Sequence, residues 1–292
     1  MNSLERLTWS DSLAFSSYGV RIAIRVNQSN LRGAIGALLP PGCTMLPPGP
    51  VERVYSLIVN GSHQQGDDEG FHLLYEDSKH LVKHRELTPI LKFLAARLRR
   101  TVAELAPRRV FVHAGVVAHR GRAIVIPGPT MSGKSTLVSE LLRHGAIYYS
   151  DEYAVLDADG MVYPFPKPVS LRAPVSFDSI DFEAEHFGAS SGNAPLPIGL
   201  VVVTHYQVGA RWRPRTLSHG QGALTLMAHA IAARRDPRRV MASLLRAVAG
   251  AIMLKGVRGE AFDLSKQMLE IMERENAEEQ VGVELNLASR RR

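Results

Sequence analysis

The residues whose types and spacing carry the most chemistry lie in one segment, Gly128–Ser135. Its sequence, Gly-Pro-Thr-Met-Ser-Gly-Lys-Ser, fits the phosphate-loop pattern G-x-x-x-x-G-K-[ST] in full. In such a loop, backbone N–H groups surround a phosphate chain, the lysine contacts the β- and γ-phosphates, and the final hydroxyl contacts Mg²⁺. Ser135 is therefore a candidate metal ligand. The candidate nucleotide ligands are Gly128, Ser132, Gly133, Lys134, Ser135 and Thr136.

The segments on either side of the loop are those that the motif requires. The apolar run Ala123–Ile126 indicates a buried strand before the loop, and residues 135–144 have apolar positions at helical spacing after it. This strand–loop–helix context predicts that the chain binds a nucleoside triphosphate, for which we expect ATP with Mg²⁺. A glycine turn before an ordinary helix is the weaker interpretation.

A pair of carboxylates follows the loop closely in the chain. Only the helix and one short strand precede Asp151 and Glu152. A strand running beside the loop strand is expected to bring them to the same edge of the sheet. One carboxylate there can hold Mg²⁺ while the other accepts the proton of an attacking hydroxyl. The alternative is a solvated turn.

Two further side chains are weaker candidates. His113 ends a strand segment just before the loop strand, although a lone histidine more often has a structural role. Arg172 follows a strand-like segment that could return to the nucleotide, where its charge would stabilise the transferring phosphoryl group. A surface arginine is an equal alternative. No metal-ligand spacing joins His205, His219 and His229, and the single cysteine excludes a cysteine-rich zinc site.

Composition narrows the class of protein. A chain of 292 residues can bury a large core, and its formal charge of +7 comes from scattered arginines. Nucleic acid is a disfavoured partner because no aromatic residues are interleaved with these arginines. The single Cys43 fits a reducing compartment. We expect a cytoplasmic protein, since we find neither a signal core nor a stretch of about 20 apolar residues that could span a membrane.

The pattern of residue types along the chain predicts three regions. Residues 1–106 are β-rich, with a period-two strand at Val20–Val26, a strand at Val51–Val59 and a hairpin around Asp77-Ser78. Thr88 is expected to cap a helix with Pro89 at its first position. We interpret this region as a packing or partner-recognition module. Residues 107–280 are expected to form the catalytic domain, and residues 281–292 a flexible basic tail.

Within the second region, the apolar pattern predicts further strands and helices. Separate short strands are expected at 110–112 and 115–118, and a buried strand at 200–204. Helices are expected at 224–234, 240–253 and 264–279.

Three segments in this order resemble the catalytic domain of bacterial HPr kinase/phosphorylase. They are His113-Ala114-Gly115-Val116-Val117-Ala118, the loop Gly128–Ser135, and Ser150-Asp151-Glu152. The corresponding family segments are His-Gly-Val-Leu-Val-Asp, Gly-Asp-Ser-Gly-Val-Gly-Lys-Ser and Ala-Asp-Asp. The resemblance covers roughly residues 109–172 well and the chain to about 262 loosely. It departs from the family where Asp-Asp becomes Asp-Glu and in the N-terminal half.

The resemblance implies a fold and a set of roles. The fold would be α/β, a P-loop kinase domain of the HPr kinase and phosphoenolpyruvate carboxykinase type, preceded by a β-rich α+β region. Asp151 would be the catalytic base, Glu152 would bind Mg²⁺, and His113 would lie near the phosphates. Short relatives of this type occur with peptide-modification genes, and a homo-oligomer would be expected because HPr kinases are hexamers.

The leading hypothesis is therefore an ATP- and Mg²⁺-dependent kinase that phosphorylates a serine hydroxyl on a small protein or peptide. One alternative is a non-catalytic ATP-sensing module whose β-rich half recruits a partner. Another is a kinase of a small hydroxylated metabolite such as free serine. The sequence does not distinguish the last from a peptide kinase.

Overall fold

The chain divides into two compact units, Met1–Arg108 and Arg109–Arg292. The computed structural model describes residues 7–59, 70–172 and 179–289, with 276–289 described by backbone alone. The fold is mixed α/β, with several sheets and six α-helices in the described residues. Over the same residues, none of the helices combines the length and the apolar character needed to cross a bilayer.

The first unit is built on a six-stranded sheet. Its strands are β1 (Asp11–Ser17), β2 (Val20–Val26), β3 (Cys43–Leu46), β4 (Arg53–Ile58), β5 (His72–Glu76) and β6 (Lys79–His84), in the order β3-β1-β2-β4-β5-β6. The period-two prediction for β2 is confirmed, because buried residues alternate along the strand. The predicted hairpin is also present as the antiparallel pair β5–β6.

Helix α2 (Leu87–Leu105) contacts β5 and β6, and a short helix α1 (Arg32–Gly36) precedes β3. The buried residues of α2 recur at a spacing of four and form one apolar stripe: Ile90, Leu94, Leu98 and Val102. The helix begins at Leu87, so the prediction that Thr88 caps it is wrong. Pro89 is tolerated in the first turn because an N–H at that position has no intrahelical acceptor.

The second unit is built on an eight-stranded sheet. Its strands are β7 (Val110–His119), β8 (Arg122–Pro127), β9 (Ile147–Ser150), β10 (Tyr153–Leu156), β11 (Val162–Tyr163), β14 (Ile198–Tyr206), β15 (Arg215–Thr216) and β16 (Ile252–Arg258). The order is β11-β10-β7-β8-β14-β16-β15, and β9 pairs with β7. Strands β8, β14 and β16 are parallel, whereas β7 is antiparallel to β8. A separate ribbon pairs β12 (Val169–Arg172) with β13 (Ser179–Phe182).

Helices cover both faces of this sheet. They are α3 (Lys134–Arg143), α4 (His219–Met227), α5 (Pro237–Val248) and α6 (Ala261–Ser289). Alternate residues of β8 belong to two different cores: Val125 lies with α4 and α5, and Ile124 and Ile126 lie with α3 and α6. Burial on both faces explains why the central strands read as continuous apolar runs.

Several predicted elements of the second unit are wrong in their bounds. Residues 110–119 form one strand, so His113 lies within β7 and does not end it. The helix predicted at 224–234 begins at His219, because Ser218 and Gln221 form a capping box, and it ends at Met227.

The helix predicted at 240–253 is also wrong in its bounds. It ends at Val248, and the residues that follow include the unpredicted strand β16. Helix α6 extends through the region 281–289 for which a flexible tail is predicted, and residues 290–292 lie outside the described residues.

Candidate nucleotide-binding site

The phosphate-loop segment connects β8 to α3, as its sequence context predicts. Buried apolar residues of α3, among them Leu137, Val138 and Leu141, pack onto the sheet. The helix lies very close to β7, since a Cβ added to Gly115 would be 2.6 Å from Val138 Cγ2. The N–H of Gly128 also donates to the carbonyl of His113 at 3.3 Å. The loop is thus held between the sheet edge and the helix N-terminus.

The loop backbone has the alternating conformation of an anion-binding nest. Met131 has φ +72° and Gly133 has φ +82°, both left-handed. The first N–H groups of α3 have no intrahelical acceptor, and the helix dipole makes this end positive. Left-handed and right-handed residues in alternation turn successive N–H groups toward one point. This backbone conformation is suited to binding an anion.

Both glycines of the motif lie where a side chain would collide. A Cβ at Gly133 would be 2.3 Å from Nη2 of Arg258, and a Cβ at Gly128 would be 2.7 Å from Oγ of Ser132. The Ser132 Oγ is itself buried and has no hydrogen-bond partner among the described residues. Thr136 is exposed in the first turn of α3. Local packing therefore favours glycine at both positions, and at Gly133 the left-handed φ favours it as well.

Lys134 is buried at the base of the loop, with only 7% of its surface exposed. Its Nζ donates to the carbonyl oxygen of Pro129 at 2.6 Å, so its ammonium lies within the ring of the loop. Burial lowers the pKa of Lys134, and the nearby Asp151 carboxylate partly offsets this effect. A phosphate bound in the loop would place a negative charge next to the Lys134 ammonium, whose bonded partner here is a carbonyl oxygen.

A hydrogen bond joins the loop to the carboxylate after β9. The Ser135 hydroxyl donates to Asp151 Oδ2 at 2.8 Å, and the Ser170 N–H donates to the same oxygen at 3.2 Å. Asp151 Oδ1 is buried and has no hydrogen-bond partner in the described part of the chain. Burial raises the pKa of Asp151 to about 6, opposed by the Ser135 hydrogen bond and by Lys167.

The route by which Asp151 reaches the loop differs from the predicted one. Strand β9 does not run beside the loop strand β8, because β7 lies between them. Both β8 and β9 are antiparallel to β7, so their carboxyl ends still meet at one edge of the sheet. Asp151 therefore lies next to the loop, as predicted, but the strand that leads to it pairs with β7 and not with β8.

Glu152 is half-buried and is tied to β7 through its backbone. Its carbonyl accepts the Ala114 N–H at 3.2 Å, and its own N–H donates to Ser150 Oγ at 3.1 Å. These bonds fix the turn that presents Asp151 to the loop. The predicted metal role of the Glu152 carboxylate stays a prediction.

Two histidines lie beside the loop lysine. The N–H of His113 donates to the carbonyl of His229 at 2.9 Å, which places the residues after α4 along β7. Burial, followed by the charges of Lys134 and His229, lowers the pKa of His113 to about 4. Burial and Lys134 also lower the pKa of His229. His113 is therefore neutral at pH 7 and can donate or accept a hydrogen bond there.

The arginine that contacts the loop is Arg258. It is 3% exposed, and it donates through Nη2 to the Gly133 carbonyl at 3.1 Å and through Nη1 to the Gly259 carbonyl at 3.0 Å. Its Nε has no hydrogen-bond partner among the described residues, and burial lowers its pKa. Arg172, the arginine predicted for this place, is exposed on β12, and no contact joins it to the loop within the described residues.

The sequence does not reveal Arg258 because strand β16 is not predicted, and it does not reveal His229 because the predicted helix at 224–234 covers the turn where this residue lies. Strand β16 is parallel to β14, so Arg258 at its carboxyl end comes to the same sheet edge as the loop. The segment Ile252–Arg258 alternates weakly and follows a helix directly, so its apolar residues extend the helical pattern. Gly250, just after α5, is the one local signal of a break.

The residues present fit a nucleotide with a magnesium ion. Mg²⁺ takes oxygen ligands and keeps several waters, so a hydroxyl and a carboxylate beside a phosphate chain are sufficient. The Ser135 hydroxyl and the Asp151 carboxylate that accepts its hydrogen bond through Oδ2 supply these oxygens. The described residues hold no group of three or more His, Cys, Asp or Glu that could bind a metal without a nucleotide.

Comparison with known proteins gives distant structural similarity and no match to a family or a curated protein. Among solved structures, the HPr(Ser) kinase/phosphatase from Coxiella burnetii is similar over 58% of this chain and 98% of its own, with 14% sequence identity and a TM-score of 0.31. At these values the relationship is one of distant fold similarity, and we base no functional role on it.

Proposed function

We propose that this protein is an ATP- and Mg²⁺-dependent kinase that transfers a phosphoryl group to a serine hydroxyl on a small protein or peptide. The observation that carries the proposal is the hydrogen bond between Ser135 of the loop and the buried Asp151. In P-loop proteins these are the two kinds of side chain that hold the metal of a bound nucleotide. A purely structural serine–aspartate pair would not call for an adjacent glycine loop at a helix N-terminus.

Positive charge in the proposed mechanism comes from the loop and from Arg258. The N–H groups of the loop and of the first turn of α3 bind the phosphates, and Lys134 contacts the β- and γ-phosphates. The Arg258 guanidinium holds the Gly133 carbonyl and so fixes the loop conformation. Buried and without a carboxylate in ion-pair contact among the described residues, it also adds positive charge beside the phosphates.

The two oxygens of Asp151 have separate roles in this proposal. Oδ2 stays with the Ser135 hydroxyl, and Oδ1 accepts the proton of the acceptor hydroxyl as the phosphoryl group is transferred. Mg²⁺, held by Ser135 with Asp151 or Glu152, would neutralise charge on the β- and γ-phosphate oxygens. A base with a pKa of about 6 is ionised at neutral pH yet still able to take a proton.

The choice of a serine on a small protein or peptide rests on the resemblance of the three sequence segments. The experiment that tests it uses ATP labelled at the γ-phosphate, Mg²⁺ and a size-fractionated extract of the source cells. We expect the wild type to label one small protein or peptide, and Lys134→Ala to label none. Label recovered only in a small metabolite would show that the acceptor is a metabolite and not a protein or peptide. ATP binding without transfer to any fraction would favour the nucleotide-sensing alternative.

A further inference from the structure

A cavity of about 540 Å³ lies on the other side of the loop strand from Asp151. Its wall is formed by the segment after β14, by the turn after β16 and by the first turns of α6. Its lining includes Arg211, Trp212, Arg213, Gly259, Phe262 and Gln267. The volume is within the range of about 300–1,000 Å³ that small-molecule sites occupy.

The guanidinium of Arg258 joins the phosphate loop to one residue of the cavity wall. Arg258 donates through Nη2 to Gly133 of the loop and through Nη1 to Gly259 in the cavity wall. Strands β14 and β16 run parallel to β8, so the segments that follow them emerge at the edge of the sheet where the loop lies. Ligands of open parallel sheets bind outside the carboxyl ends of the strands.

The sides of the loop differ in what they offer a nucleotide. On the β7 side lies the Asp151 carboxylate, which the Ser135 hydroxyl and the Ser170 N–H hold by hydrogen bonds. On the β14 and β16 side lies the cavity. A triphosphate held by the loop would thus have its metal-binding end toward the first side, and the second side is free for the nucleoside.

The chemistry of the cavity suits an uncharged aromatic ligand. Three cationic residues (Arg211, Arg213, Lys266) are balanced by three acidic residues (Glu260, Asp263, Glu270), so its formal charge is zero. Trp212 and Phe262 supply aromatic surface, and Phe262 is 50% exposed. A multiply charged acidic ligand would gain little from such a balance, whereas a nucleobase can stack on an indole ring such as that of Trp212.

Trp212 carries an unmet hydrogen-bonding requirement. Its indole Nε1 is buried and has no hydrogen-bond acceptor in the part of the chain that the structure describes. The indole lies against β16, since a Cβ added to Gly256 would be 3.0 Å from its six-membered ring. A buried donor without a partner costs free energy, and a ring nitrogen or hydroxyl of a nucleoside can accept from it.

We propose that this cavity binds the nucleoside part of the nucleotide, with Trp212 as the residue that recognises it. The inference rests on the proposed function, because it assumes that the triphosphate occupies the loop. It adds a base- and ribose-binding site for which the loop motif gives no information. The two claims separate experimentally, because inorganic tripolyphosphate contains the part that the loop binds and lacks the part that the cavity binds.

The first test uses the fluorescence of Trp212 in the full-length Trp9→Phe variant. The chain has two tryptophans, so this substitution leaves Trp212 as the only one. With Mg²⁺ present, we expect ATP to change its emission, and we expect tripolyphosphate to displace ATP while leaving the emission near that of the free protein. An unchanged emission, with ATP binding verified by calorimetry, would contradict the inference.

The second test compares affinities for ATP and tripolyphosphate in calorimetry. Trp212→Ala should weaken ATP binding about tenfold or more, the loss expected for one stacked base, and leave tripolyphosphate binding unchanged. Trp212→Phe keeps a ring but removes the N–H, so an intermediate loss is expected. Gln267→Trp, which fills the cavity from an exposed position of α6, should reproduce the effect of Trp212→Ala even if that variant folds poorly.

The possible outcomes distinguish the inference about the cavity from the proposed function. If ATP and tripolyphosphate bind the wild type equally and none of the variants alters ATP affinity, the cavity is not the nucleoside site, while the proposed function stands. If neither ligand binds the wild type, the proposed function and the inference fail together. Selective loss of ATP binding in Trp212→Ala and Gln267→Trp supports the inference.

Discussion

The Ser135 hydroxyl and the Asp151 carboxylate are joined by a hydrogen bond of 2.8 Å, although strand β7 separates the strands that lead to them. The bond arises because β8 and β9 are both antiparallel to β7 and therefore end at the same edge of the sheet. It connects the phosphate loop to a buried carboxylate whose second oxygen has no partner among the described residues. The proposed chemistry begins from this pair.

Gly133→Ala is expected to abolish measurable ATP binding. Alanine at φ +82° is strained, and its Cβ would collide with the Arg258 guanidinium. Left-handed backbone alone costs about 1–2 kcal/mol for a non-glycine residue, and displacement of Arg258 adds to it. Gly121→Ala is the matched control, because Gly121 has φ +75° but nothing within 4 Å of the added Cβ. The control should lose some thermal stability and bind ATP normally in calorimetry; equal ATP binding by both variants would contradict the proposed packing of the loop.

Arg258→Met should lower ATP affinity about tenfold or more, because it removes a buried cation that holds the loop. The equivalent substitution Arg172→Met, at an exposed arginine of β12, should leave ATP affinity within about twofold. Titration calorimetry with Mg²⁺ and ATP distinguishes the two variants. A larger loss of ATP affinity in Arg172→Met than in Arg258→Met would support the predicted contact between Arg172 and the nucleotide.

These two arginines show how far the sequence predicts the site. The loop, its strand and its helix are predictable because their residues are contiguous and their pattern is local. The short connection between loop and carboxylate predicts that Asp151 reaches the same sheet edge, although not that it bonds Ser135. Arg258 and His229 could not be expected, because both reach the loop only through pairing of distant segments. Such contacts depend on strand order, which local periodicity does not specify.

The same distinction applies to the fold. Strands with clear period two, such as Val20–Val26, are predicted correctly since one face is buried and the other partly exposed. The bounds of α4 and α5 were wrong where a helix meets a strand or turn of similar apolar composition. In these segments tertiary pairing decides the conformation.

The stability of the protein should fall in mildly acidic solution because of His113. Its pKa falls from 6.5 to about 4 on folding. Between these values the unfolded chain binds a proton that the folded chain does not, so stability present above pH 6.5 is lost as the pH falls toward 4. One proton corresponds to about 1.4 kcal/mol per pH unit. Urea unfolding without nucleotide should show a shallower decline between pH 7 and 5 for His113→Gln; parallel declines would refute the assignment.

In the first unit, a buried ion pair is expected to be important for stability. Glu76 accepts two hydrogen bonds from Arg97, at 2.8 and 2.7 Å, and one from the Tyr55 hydroxyl at 3.0 Å. Arg97→Met removes the closer of two cations from this carboxylate and leaves Arg53 Nε at 3.7 Å, so it should lower the free energy of unfolding by about 2 kcal/mol. Arg100→Met, at an exposed position of the same helix, should change it by less than about 0.5 kcal/mol. Chemical denaturation of the full chain measures both, and a similar small loss in the two variants would show that the pair contributes little.

The most direct test of the central claim compares wild type with Asp151→Asn in two assays, ATP affinity and phosphoryl transfer from labelled ATP. Asparagine keeps the shape of the side chain and can accept the Ser135 hydrogen bond, but it cannot accept a proton. The account predicts ATP affinity within about tenfold of wild type and transfer reduced by about 100-fold or more. Transfer at a comparable rate by Asp151→Asn would contradict the role of this carboxylate in the reaction.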